Sequence, residues 1–380
     1  MAETNGTVPA STAIVSPAVA TRTIHYRPFL FTKKAEFWAL EALEPASRDG
    51  LTPVYVVHPR ELDYDNGKVP KISLDAHVAK VAKGIVKVTD VQNAYIDVKY
   101  IEGEGALGSG VAPITHLHRE CAAQGVDLAP LVRPSSATAT VDAVVAELMG
   151  GTLSTVAVCL SIDEWPSIDP APLRDLLDRL SPGAPDIDLM IDVGDRFDAL
   201  TCSGVCDAIT AASAHGLFRS VTVVGAAFPK TAPTGVGNHE VERSEYNAFC
   251  EIETLCGTRG LPVPDYGDWT ISHPDPMSDV DPKFMNISAQ FRYCIETGWI
   301  VAKGNLFKGN GGKGVGGAAV PPMLRSLGSH AQFGATSRGR TEAWIDLAST
   351  GTNSGNPTTW RQWGVLRHLE LTMHQLATRI

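Results

Sequence analysis

The sequence predicts an α/β fold, a single (β/α)8 TIM-barrel-like domain, and three observations carry that expectation. Short apolar runs alternate with stretches that place apolar residues at helical spacing. The runs are apolar on both faces, as the strands of a parallel sheet covered by helices must be. Eight such units follow one another, within about 250 residues, the size of a closed barrel. An open doubly wound sheet is the other architecture compatible with the same alternation.

The strand candidates are residues 28–31, 53–57, 95–101, 128–132, 156–162, 189–193, 221–224 and 269–271. Between them, Val78, Val81, Ala82 and Ile85 mark one helical stripe. Val141, Val144, Val145 and Leu148 mark a second, stopped by Gly150-Gly151. Leu173, Leu176, Leu177 and Leu180 mark a third, with Asp169 placed to cap, Pro170 suited to the first turn and Ser181-Pro182-Gly183 at the end. Residues 198–214 and 240–256 read as two further helices.

Beyond residue 285 the rhythm changes. Residues 288–295 and 299–301 read as a hairpin joined by Glu296-Thr297-Gly298, followed by a glycine-rich loop at 304–317. A last helix carries Leu366, Leu369, Met373 and Leu376. The expected organisation is therefore one domain over residues 23–380, with this C-terminal part closing the barrel. Residues 1–22 read as a flexible tail. Ala18-Val19-Ala20 has the letters of a signal-cleavage site, but no basic residue precedes it and Ser, Thr and Pro interrupt the stretch.

Composition narrows the function classes. The 380 residues are 44% apolar and 19% charged, a globular balance. A net charge of −10 argues against sequence-general nucleic-acid binding, which needs a basic excess. No run of 18 apolar residues is present, so no membrane helix is expected. The seven cysteines lack CxxC spacing. They read as reduced core thiols of a cytoplasmic protein.

Three segments carry a likeness that spans the chain. The first is Tyr26-Arg27-Pro28-Phe29-Leu30 with Lys33, Glu36, Ala39 and Leu40. The second is Tyr266-Gly267-Asp268-Trp269-Thr270, then His273-Pro274 and Phe291-Arg292-Tyr293. The third is Gly355-Asn356-Pro357-Thr358-Thr359-Trp360-Arg361-Gln362, leading to His368. In their order and spacing they resemble the phage beta-protein family. The resemblance implies a barrel-like protein associated with phages, prophages and mobile elements. It brings no established reaction, so no catalytic residue is carried over from it.

Ligands of parallel α/β folds bind at the carboxyl ends of the strands. The polar residues that end the apolar runs are therefore the site candidates. They are Lys33, His58, Arg133, Asp163 with Glu164, Asp192 with Asp195, and Asp268 with His273. Asp163, Asp192 and Glu164 are the candidate catalytic carboxylates, since such groups do acid/base work or hold a divalent metal. Lys33, Arg133, Arg292 and Arg361 are candidates for binding an anion, with His58, Asp195, Asp268 and His273 completing the ligand set. A strand exit is also where an Asp caps the next helix and an Arg pairs with it, so each residue has an ordinary structural alternative.

Other motifs do not fix a reaction. Gly309-x-Gly311-x-x-Gly314 has dinucleotide-loop letters without the strand-turn-helix context, and Gly314 stands where a phosphate loop needs Ser or Thr after Lys313. With Lys303, Lys308 and Lys313, it reads as a surface flap. His116-x-His118 lacks a third nearby ligand, and no GxSxG elbow or HExxH helix occurs. Two readings of function follow. One is a phage–host conflict protein, an anti-phage defence or phage accessory component with a protein partner from such a system. The other is a barrel enzyme, a metal-assisted hydrolase or phosphodiesterase acting on a nucleotide-like anion.

Overall fold

The computed structural model describes residues 24–45, 48–88, 93–183, 186–275, 281, 283–309 and 312–379. The expected tail at 1–22 lies outside the described residues. In chain order the elements are β1 (Tyr26–Phe31), α1 (Lys34–Ala42), β2 (Val54–Val56), a short hairpin of β3 (Leu62–Asp63) and β4 (Val69–Pro70), α2 (Leu74–Val88), β5 (Asn93–Asp97), α3 (Pro113–Ala122), β6 (Asp127–Val132), α4 (Thr138–Met149), β7 (Thr155–Leu160) and α5 (Ala171–Leu180). Then follow β8 (Asp186–Asp192), α6 (Ala199–Ser213), β9 (Ser220–Gly225), β10 (Gly237–Glu242), α7 (Ser244–Thr258), β11 (Asp265–Asp268), β12 (Ile287–Ile295), β13 (Gly298–Lys308), α8 (Val320–Gly328), α9 (Arg340–Ser349) and α10 (Pro357–Ala377).

Eight of these strands close a barrel in the order β1-β11-β9-β8-β7-β6-β5-β2. Every pairing in it is parallel, and β1 completes the circle by pairing with both β11 and β2. Alternate residues point inward. Phe29, Phe31, Val56, Leu131, Met190 and Trp269 belong to the apolar filling of the interior. The opposite faces of the strands pack against the helices. At the amino end of the barrel the filling turns polar: Arg27 pairs with Asp265 at 2.5 Å, and Tyr95 donates to Asp188 at 2.8 Å. The charged groups there are paired with one another, and parallel barrels place their ligands at the opposite end.

Three expectations are corrected. The eighth barrel strand is Asp265–Asp268, not residues 269–271. Thr270 takes φ +56°, a left-handed conformation that a strand does not tolerate, so the chain turns and Trp269 drops into the barrel. Residues 240–242 are strand rather than helix, because β10 pairs antiparallel with β13. The second hairpin strand extends to Lys308 and so takes the start of the expected glycine-rich loop. Gly304 is needed there for close approach, since a Cβ would stand 2.8 Å from the Ala319 carbonyl oxygen.

The antiparallel sheet β10-β13-β12 and helices α8 and α9 build a second apolar cluster around Phe291, Tyr293, Met323 and Trp344. Helix α10 joins the two parts. Its Val365, Leu366 and Leu369 pack on the barrel side, and its Trp360 packs with the C-terminal sheet. Asn356 caps α10 by accepting from the Thr358 and Thr359 N–H groups, and Pro357 fits the first turn.

Candidate functional site

The carboxyl ends of β5, β6 and β8 converge on one polar mouth. Asp97, the last residue of β5, is fully buried and accepts two hydrogen bonds from Arg133, just past β6, at 2.9 and 2.6 Å. Lys99 follows two residues later, with its ammonium 4.7 Å from the Trp269 ring centroid and 4.8 Å from that of Tyr100. No hydrogen bond or ion pair holds that ammonium among the described residues. Lys99, Tyr100, Glu102, Arg133, Ser135 and Ser136 line a cleft of about 340 Å³.

The charges in this mouth are unequal. Burial alone would raise the Asp97 pKa, but the Arg133 guanidinium and its hydrogen bonds, with Lys99, hold it below the ordinary carboxylate value. Arg133 is correspondingly held protonated by Asp97 in spite of its burial. Asp192, the last residue of β8, behaves in the opposite way. Burial pushes its pKa up, and Lys99, the Gly194 N–H and Arg133 offset that only in part. Among the described residues its carboxyl accepts one hydrogen bond, from Gly194 N–H at 2.9 Å. Asp192 thus takes up a proton more readily than an ordinary carboxylate, and it lies within electrostatic range of Lys99.

A second cavity, of about 280 Å³, opens between the barrel end and the C-terminal sheet. Arg292 of β12 and Arg361 of α10 both line it. Arg361 donates to Glu36 at 2.7 Å and to Ser272 Oγ at 2.6 Å. Arg292 donates to the Ile271 carbonyl and lies 4.2 Å from the Phe228 ring centroid.

With this geometry in place, comparison with known proteins gives a family. A family model described as Beta protein matches residues 26–374. The chain belongs to the Beta protein family. No curated protein matches it. Among solved structures, the chain is similar to a GH18 chitinase from the chitin utilization locus of Flavobacterium johnsoniae, at 14% identity and TM-score 0.28, over 65% of this chain and 67% of that one. It is also similar to an alanine racemase from Clostridium difficile 630 in complex with cycloserine, at 8% identity and TM-score 0.28, over 81% and 85%. The barrel assignment rests on the strand order of this member of the Beta protein family itself.

The residues expected at the site divide into groups. Arg133 and Asp163 follow β6 and β7, and Asp192 ends the neighbouring β8. Arg133 and Asp192 meet at the mouth. Asp163 is exposed on a short 3₁₀ turn, Ile162–Glu164. Glu164 caps that turn, accepting from Ser161 N–H at 3.0 Å and Ser135 N–H at 2.9 Å, so its carboxylate is already occupied. Asp195 is exposed. His58 packs edge-on against His77 with ring centroids 4.8 Å apart, and burial with Lys33 nearby lowers its pKa to about 3, so it stays neutral. Lys33 lies within electrostatic range of Arg361 and Glu36. His273 accepts from Asp275 N–H at 3.0 Å on the next loop. Asp268 points away from the mouth into the packing between β11 and α10.

Asp97, Lys99, Tyr100 and Trp269 were not among the expected site residues. The rule that a polar residue ends each apolar run does find Asp97, once the run is stopped at Ile96 rather than carried to Ile101. His118 is buried between the Leu128 and Thr152 carbonyls at 3.1 Å each, an ordinary structural histidine. Among the described residues no three His, Cys, Asp or Glu side chains gather as a metal-ligand set. No helix among them is long and apolar enough to cross a membrane.

Proposed function

We propose that this Beta protein family barrel works in phage–host conflict, in the cytoplasm, by recognising a small nucleotide-like anion at its mouth. The phage association comes from the family resemblance. The observation that carries the ligand reading is Lys99: a cation without a carboxylate partner, stacked over Trp269 and Tyr100 at the carboxyl ends of the strands. A phosphate would supply the missing counter-charge, and the aromatic rings suit a flat base. Ser135, Ser136 and Glu102 line the same cleft and are suited to hydrogen-bonding a sugar.

The test is calorimetric titration of the full chain with mono-, di- and cyclic nucleotides, followed by Lys99→Ala. Micromolar binding of at least one, weakened about tenfold or more by Lys99→Ala, supports the proposal. Absence of binding by the whole panel, or binding indifferent to Lys99→Ala, overturns it. Co-purification from infected cells then tests for a protein partner from a phage or defence system.

Asp192 favours a second reading, hydrolysis of such an anion. A carboxyl with a raised pKa beside Lys99 is suited to general acid/base work on a phosphodiester. Turnover of a bound nucleotide that stops in Asp192→Asn supports it; binding without turnover leaves recognition alone.

A further inference from the structure

The second cavity has its own charge imbalance. Arg292 is half-buried, and among the described residues its guanidinium meets a carbonyl and a ring but no carboxylate. The nearest carboxylate in this region, Glu36, is 1% exposed and already bound to Arg361. Burial, with Arg361 close by, pulls the Arg292 pKa down to about 9, which still leaves it charged at neutral pH. Lys33 adds a third cation within range of Arg361. Gln290 also lines the cavity, and its buried amide nitrogen has no hydrogen-bond partner among the described residues.

A half-buried cation without a counter-charge and a buried amide donor without an acceptor are both costly unless something completes them. One oxyanion completes both. The remaining wall is apolar, made by Ile271, Ile287, Pro357 and Trp360. Pro357 begins α10, whose positive end favours an anion there. The first free N–H groups of that helix are taken by Asn356, so direct contacts fall to the side chains. Through Ile271 the cavity also touches the loop that follows β11, the eighth barrel strand, close to where parallel barrels repeatedly place phosphate.

We infer that this cavity is a phosphate subsite, separate from the mouth, for a small phosphomonoester carrying a compact apolar group. Arg292 and Gln290 hold the phosphate, Lys33 and Arg361 supply long-range attraction, and the Trp360 side takes the apolar part. The inference does not depend on Lys99 or on the reading of the mouth.

Phenyl phosphate is the probe, with inorganic phosphate and phenol as partial probes, titrated into the full chain. Phenyl phosphate is expected to bind more tightly than either part. Arg292→Gln should weaken it about tenfold or more, the scale of one charge-assisted hydrogen bond. Lys33→Ala, at an exposed position, should weaken it several-fold. Because Arg292→Gln removes an uncompensated charge, its Tm without ligand should stay level or rise. Phenyl phosphate binding that is absent, or equal in the wild type and Arg292→Gln, overturns the inference. So does a Tm several degrees lower in Arg292→Gln with binding intact, which would make Arg292 a packing residue.

Discussion

His368 Nε2 lies 2.8 Å from Asp268 Oδ2, and both side chains are sealed from solvent between β11 and α10. The pair is the centre of a larger network. Tyr26 and Tyr266 donate to Asp268 at 2.7 and 2.9 Å, and Thr270 N–H donates at 3.0 Å. On the far side of the imidazole, Nδ1 is 3.4 Å from Cys294 Sγ, and the Trp299 ring stacks at 5.9 Å. One carboxylate thus ties the first barrel strand, the last barrel strand, the C-terminal sheet and the final helix together. Asp268, which reads in sequence as a ligand residue, thus has its oxygens taken up within the packing.

The pair makes stability depend on pH in a defined direction. Burial works against the imidazolium, but Asp268 and Cys294 outweigh it and raise the His368 pKa from 6.5 to about 9. The stabilisation from His368 is therefore complete below 6.5 and is lost as pH rises through about 9. Asp268, lowered to about 2 despite burial, contributes above 3.8 and loses that contribution only towards pH 2. Tm should fall between about pH 7 and 9.5 in the wild type, and fall less in His368→Gln. That variant should also be less stable by about 2 kcal/mol, since it removes one of the two cations, His368 and Arg243, that face the buried Asp268 carboxylate. Chemical denaturation across this range checks both; equal slopes in the two proteins would contradict the assignment.

The Arg133–Asp97 pair allows structure and function to be separated at the mouth. Asp97→Ala leaves Arg133 buried and unpaired, and should cost about 3 kcal/mol or more. Replacing both partners, in Arg133→Met with Asp97→Leu, removes the unpaired charge and should recover much of that loss while ligand binding does not return. Melting curves and titrations of the three proteins are the measurement. A double variant no more stable than Asp97→Ala would show that the pair is not where the cost arises.

The barrel was legible because its strands are buried on both faces, and such runs as Val156-Ala157-Val158-Cys159-Leu160 announce themselves. The eighth strand was not, because Asp265-Tyr266-Gly267-Asp268 is polar in letters. Its carboxylates pair with residues far along the chain, among them Arg27 and His368. Strand β10 was missed for a similar reason. Gly237–Glu242 is half-exposed and pairs with β13, about sixty residues later. The strand-end rule alone places Arg133 and Asp192 at the carboxyl ends of β6 and β8, where they stand. Asp163 obeys the same rule yet is exposed, since a strand exit fixes the place of a backbone and not the direction of a side chain.

The thiols should react very unevenly. All seven cysteines are free; six are buried, and Cys250 is only partly so. Burial pushes Cys121, Cys159 and Cys256 up to about 12, which suppresses the reactive thiolate. Cys206 and Cys256 lie 3.6 Å apart without a bond between them. Under native conditions an alkylating reagent should modify Cys250 first, and the other six should follow only on unfolding. Peptide mapping by mass spectrometry decides it, and early labelling of Cys294 would show that the packing around His368 opens.

Asp192 gives the sharpest test at the mouth. Its carboxyl has one hydrogen bond, from Gly194 N–H, and burial raises its pKa. The folded chain therefore binds a proton at Asp192 more readily than the unfolded chain does. The sign is opposite to that of Asp97. The contribution of Asp192 is most favourable below the ordinary value of 3.8 and is lost as pH rises through the raised one. At neutral pH the ionised group is a liability to the fold, retained beside Lys99 and Arg133. Asp192→Asn keeps the shape and the acceptor for Gly194 while removing the charge. Its Tm at neutral pH should equal or exceed that of the wild type, with the difference shrinking as pH falls towards 4. Ligand turnover or binding should be abolished in the same variant, the exchange of stability for function expected of a working site. A Tm several degrees lower, with binding and the infection phenotype intact, would make Asp192 a structural carboxylate and remove it from the site.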